Sequence, residues 1–116
     1  MDVVETLLGL SRAERRGRLH LYGEPFGGVR EIVGAEARRT LATLRFDDGA
    51  VIEIDAPMGL LAGPDILVVP QARFVVLREG GEMTTRFDRI GDEVRREPPG
   101  GEPPSAEAGA LALLRR

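Results

Sequence analysis

Residues 40–55 read TLATLRFDDGAVIEID, and this stretch decides the fold. Within Thr40 to Phe46, Ala42, Leu44 and Phe46 share one face of an extended chain. From Ala50 to Asp55 the same holds for Ala50, Ile52 and Ile54. Asp47-Asp48-Gly49 stands between the two runs. Asp-Gly between alternating segments marks a hairpin, because glycine accepts the positive φ that a tight turn imposes.

The same period continues outward. Upstream, Leu19 to Tyr22 alternates and stops at the turn formers Gly23-Glu24-Pro25-Phe26-Gly27-Gly28, and Val29 to Ala37 is a second candidate strand. Downstream, Pro57, Gly59, Gly63 and Pro64 make residues 56–65 a loop. Ile66 to Val69 is a short strand ended by Pro70, which cannot donate to a ladder and so points to an edge or a bulge. Phe74 to Leu77 is continuously apolar, as in a strand buried on both sides. Gly80-Gly81 turns into Glu82 to Ile90, and Glu93 to Glu97 forms a last strand. The expected fold is mainly β: a small antiparallel barrel or curled sheet of about six strands.

The two ends read differently. Asp2 with Glu5, and Ser11 with Glu14, have capping-box spacing, and Val4, Leu7 and Leu8 share a helical face. The first eighteen residues are therefore predicted as two short helices, or one broken near Gly9 and closed at Gly17. Residues 98–104, PPGGEPP, read as a linker. Residues 105–116 read as a short amphipathic helix or flexible tail, with Ala108, Leu111 and Leu114 along one stripe. The expected organisation is a β-rich domain at 1–97, the linker at 98–104 and the tail at 105–116.

Composition excludes several chemistries. Without cysteine there is no disulfide, thiol nucleophile or cysteine-held metal, and one histidine is too few for an ordinary zinc site. No cofactor is expected. No apolar run approaches the ~18 residues of a membrane span. The opening MDVVETLLGL has an acidic start and an apolar stretch broken by Glu5 and Thr6, unlike a secretory leader, so no membrane contact and a cytoplasmic location are expected. All 16 basic residues are arginine, which rules out Schiff-base lysine chemistry. Their spread along the chain reads as compositional bias, and the net charge of −3 speaks against a general polyanion binder.

At residues 22–75 the order of landmarks is familiar: Tyr22-Gly23-Glu24-Pro25, Ile32-Val33-Gly34-Ala35, Leu44 to Gly49, Pro57-Met58-Gly59 and Ala72-Arg73. This resembles a group of small uncharacterised bacterial β-rich domains, in which a Tyr-Gly-x-Pro turn precedes two hairpins joined by an acidic-Gly turn. The chain departs from the group after Ala72-Arg73, where Phe74-Val75-Val76-Leu77 replaces an aromatic-rich strand. The resemblance implies a fold and no activity.

Few side chains could carry chemistry. His20 and Tyr22 fall on one strand face, beside Glu24, and could line a pocket or supply a general base, but no positioned nucleophile accompanies them. Glu53 and Asp55 share the face opposite Ile52 and Ile54, the pattern of a solvated outer sheet face more than of a cation site. Asp47-Asp48-Gly49 lacks the later oxygens of a calcium loop. Arg12, Arg15 and Arg16 could grip phosphates from a helix face, though no aromatic side chain is interleaved for base stacking. Leu111 and Leu114 could dock on a partner. The function expected is a non-enzymatic protein-interaction module, binding a protein partner or a second copy. The alternatives are a nucleic-acid-binding small barrel using the arginine cluster, and a small-molecule binder or enzyme around His20 and Tyr22.

Overall fold

Alternating strands and tight turns pair in sequence order through most of this chain. The computed structural model describes residues 3–100 and 104–115. Helix α1 (Val3–Gly9) is followed by β1 (Arg16–Leu21), β2 (Glu24–Arg38), β3 (Leu41–Phe46) and β4 (Val51–Asp55). Then come β5 (Leu61–Ala62), β6 (Ile66–Val69), β7 (Phe74–Glu79), β8 (Glu82–Ile90) and β9 (Glu93–Glu97). A 3₁₀ turn at Ala106–Ala108 leads into β10 (Leu111–Leu114).

The strands form one antiparallel sheet in the order β5-β6-β10-β1-β2-β3-β4-β7-β8-β9. There are ten strands where about six are expected, and the sheet does not close into a barrel. β9 reaches β2 through side chains, Arg96 Nε donating to Glu24 Oε2 at 3.0 Å. The fifteen-residue β2 belongs to both halves of the sheet. Its register shifts opposite Arg18–His20 and again between Ile32 and Gly34, and such irregularities bend a strand.

The bend folds the halves onto one core. Leu19, Leu67, Leu111 and Leu113 from one half are buried in the same cluster as Leu44, Ile52, Ile54, Val75 and Phe87 from the other. α1 adds Val3, Val4 and Leu7. The hairpin read at residues 40–55 is present, with Leu44 opposite Ile52 and Ala42 opposite Ile54. Its turn holds Gly49 at φ 88°, and the Asp48 carboxylate accepts from the Ala50 amide.

Three expectations fail at the ends and in the loop. The helical segment stops at Gly9; residues 12–15 form a turn, and Gly17 lies inside β1. The Ser11–Glu14 signal is real but local. The Ser11 amide donates to Glu14 Oε2 at 2.9 Å and the Glu14 amide to Ser11 Oγ at 3.4 Å, and the chain then enters β1. The capping role of Asp2 lies outside the described residues. The loop at 56–65 contains β5, which makes β6 an inner strand with Pro70 just beyond its end.

The largest correction concerns the tail. Residues 111–114 are neither helix nor flexible segment but an inner strand, paired with β1 on one side and β6 on the other. Local pattern favoured a helix stripe; two open ladders and a core needing Leu111 and Leu113 favour the strand. No helix among the described residues is long and apolar enough to cross a membrane.

Candidate functional site

The half-sheet β5-β6-β10-β1 turns one face to the core; on the other Leu61 is exposed, Ile66, Val68, His20 and Leu114 are half-buried, and Ala112 is buried between its neighbours. In β6 Leu67 and Val69 point into the core, so Ile66 and Val68 point out. In β10 the core takes Leu111 and Leu113, so Ala112 and Leu114 point out. In β1 the core takes Leu19 and Leu21, so Arg18 and His20 point out. Direct register then assembles two cross-strand rows. One runs Leu61, Val68, Ala112, His20, Pro25. The next runs Ile66, Leu114, Arg18, Val29.

These rows are apolar except for His20 and Arg18. An outward sheet face is usually polar, so its composition calls for a cause. Leu61 is 62% exposed and Val29 45%. A groove of about 710 Å³ opens at the β5–β6 side, lined by the apolar Leu61, Ile66 and Val68 and by the polar Gln71, Arg89, Asp92 and Glu107. Apolar and polar side chains together in one open groove suit contact with another molecule.

The pair His20 and Tyr22 does not share a pocket. Tyr22 follows the end of β1 with φ 47°, which turns its side chain into the core. There its ring lies 5.3 Å from that of Phe87, and its hydroxyl donates to the Ala72 carbonyl at 3.2 Å. Burial pushes its pKa up to about 12. His20 stays outside among apolar neighbours, and its Nδ1 is buried with no hydrogen-bond partner among the described residues.

The arginine cluster is dispersed. Arg12 and Arg15 lie in a turn and Arg16 in β1, so they share no helix face. Arg12 Nε donates to Glu31 Oε2 at 2.8 Å, and Arg16 sits 3.7 Å from Asp47 Oδ2. Neighbouring Arg30 pairs with Asp48 at 2.5 Å. Arg12 and Arg16 are thus matched by acids, whereas Arg15 Nε is buried with no hydrogen-bond partner among the described residues. Leu111 cannot receive a partner, being 1% exposed, whereas Leu114 is half-buried on the outer face.

Glu53 and Asp55 also separate. Glu53 pairs with Arg78 at 2.6 Å on the surface. Asp55 is buried, accepting from Thr40 Oγ1 at 2.5 Å and from Arg73 Nε. Burial alone would raise its pKa; the bonds from Arg73 and Thr40 and the Arg73 charge outweigh that and hold it below the ordinary 3.8. The charged form therefore stabilises the fold at neutral pH, and that contribution is lost as pH falls below about 4. Asp55→Asn is expected to lower the urea midpoint at pH 7, with the gap to wild type narrowing as the pH falls below about 4. A gap of constant size across that range would contradict this role.

Among the described residues no group of three or more histidine or acidic side chains could hold a metal ion. No family model matches the chain, and no curated protein or solved structure is significantly similar to it.

Proposed function

We propose that this chain is a non-enzymatic, cytoplasmic protein-interaction module whose contact surface is the outer face of β5, β6, β10 and β1. One observation carries the reading: two registered rows of outward side chains, apolar apart from His20 and Arg18. Burial of such a face by another chain releases its apolar surface from water, the main favourable contribution to association. The adjoining groove adds polar positions for orientation. Tyr22 is turned away from His20, and Arg12 and Arg16 pair with acids, which supports this reading over a site built on either group.

The test is a photo-reactive side chain placed at position 68 in living cells, with one at position 95 on exposed β9 as control. A discrete protein adduct from position 68 and none from position 95 is the expected result. No adduct, or equal adducts from both, would remove the reading.

A further inference from the structure

We propose that the hollow between the β2–β3 turn and the turn at residues 56–59 binds a small apolar molecule carrying one carboxylate, with Arg39 as its counter-charge. None of the lining residues belongs to β5, β6, β10 or β1, so this site is separate from the contact face. Ala37, Arg39 and Thr40 line one wall, and Pro57, Met58 and Gly59 the other. The walls are joined where the Ala56 amide donates to the Thr40 carbonyl at 2.9 Å. Val3 of α1, Ala42 and Ala56 complete the lining, and all three are buried, which makes them its floor. The hollow measures about 360 Å³, within the range of small-molecule sites.

Its room and its charge both follow from the sequence. Ala37 stands opposite Ala42 in the β2–β3 ladder, so two methyl groups occupy a cross-strand pair that larger side chains would fill. Arg39 is the one charged residue of the lining, and it has neither a hydrogen bond nor an ion pair among the described residues. Thr40 carries the Asp55 carboxylate alongside, but that group already accepts from Thr40 Oγ1 and Arg73 Nε. Arg39 also sits at φ 59°, in the two-residue turn between the paired Arg38 and Leu41. Glycine holds such a position without strain, so the fold itself gains nothing from arginine there. A strained, unmatched cation beside an apolar hollow fits the holding of an anion. Its guanidinium can give two parallel bonds to a carboxylate, while the alanines, Pro57 and Met58 take the apolar body out of water. One cation balances one negative charge, and the lining holds no second cation for a phosphate dianion.

The test titrates hexanoate into the isotope-labelled full chain and follows the amide shifts, with hexanamide as the uncharged counterpart. Saturable shifts are expected at Thr40, Ala42, Ala56 and Gly59, with Kd about 1 mM or below. Hexanamide is expected to bind about tenfold more weakly or worse. Arg39→Gly is expected to cost hexanoate a similar factor without lowering the melting temperature, because glycine relaxes the turn while removing the charge. Arg39→Gln removes the charge alone and is expected to weaken binding equally. Arg38→Gln makes the same charge change outside the lining and should leave Kd within roughly twofold. Ala37→Leu fills an exposed part of the hollow and is expected to abolish saturation with the fold kept. The absence of saturable shifts at tens of millimolar hexanoate overturns the site. Equal binding of hexanamide, or equal losses from Arg38→Gln and Arg39→Gln, overturns the role of Arg39.

Discussion

A chain lacking residues 110–116 is expected to lose its cooperative fold altogether. β10 is an inner strand, and Leu111 and Leu113 are 1% and 0% exposed within the core. Truncating a buried leucine costs about 2–5 kcal/mol, so two approach the ~5–15 kcal/mol that holds a domain folded. Removal also leaves β1 and β6 without a ladder partner on that side. Calorimetry and circular dichroism of the truncated chain should show no melting transition. A transition within a few degrees of the full chain would mean that β10 is dispensable.

Gly17→Val is expected to be the most damaging single substitution in β1. Gly17 is buried, and a Cβ there would run into the Leu114 carbonyl and lie 3.2 Å from the Arg115 Cα. Both obstacles are backbone, so relief requires β1 and β10 to part. Overpacking costs about 1–3 kcal/mol when side chains can shift, and this site belongs at or above the upper end. Gly28→Ala is the control, since a Cβ there meets open space, and its effect should stay within about 0.5 kcal/mol. Equal urea midpoints for the two variants would show that β1 and β10 do not approach so closely.

The strands that were legible in the sequence are those specified by neighbours in sequence. Residues 40–55 and the Gly80-Gly81 turn each encode both a turn and the alternation on either side, and β3–β4 and β7–β8 pair accordingly. Of the apolar run Phe74 to Leu77 expected to be buried on both sides, Val75, Val76 and Leu77 are buried and Phe74 is half-buried. What escaped was set at long range. Leu61–Ala62 counts as a strand only because β6 lies beside it, and Leu111–Leu114 only because β1 and β6 leave a gap of one strand's width. The Ser11–Glu14 capping box formed without a helix, because Arg16 onward is claimed by pairing with β2. Tyr22 left its expected face because a positive φ after the strand end breaks the alternation that placed it beside His20.

The proposed contact face was legible only in part. Ile66-Leu67-Val68-Val69 was read as a short strand, which it is, but as an edge or bulge because of Pro70, whereas it lies inside the sheet. The register joining Val68 to Ala112 and His20 was not legible, since it depends on β10 entering the sheet. Leu114 was singled out for the wrong geometry and Leu111 for the wrong face: the helical stripe drawn through both becomes, in a strand, one inward and one outward side chain.

The chain contains no cysteine, so Val68→Cys introduces a single thiol at the centre of the outer face. The most direct test is its rate of maleimide labelling in intact cells against that in dilute purified protein, with Arg95→Cys as the exposed control. If another chain covers this face, position 68 is labelled markedly more slowly in cells than in dilute solution while position 95 is not. Equal relative rates at the two positions would contradict the account, because the face would then be open where the protein works.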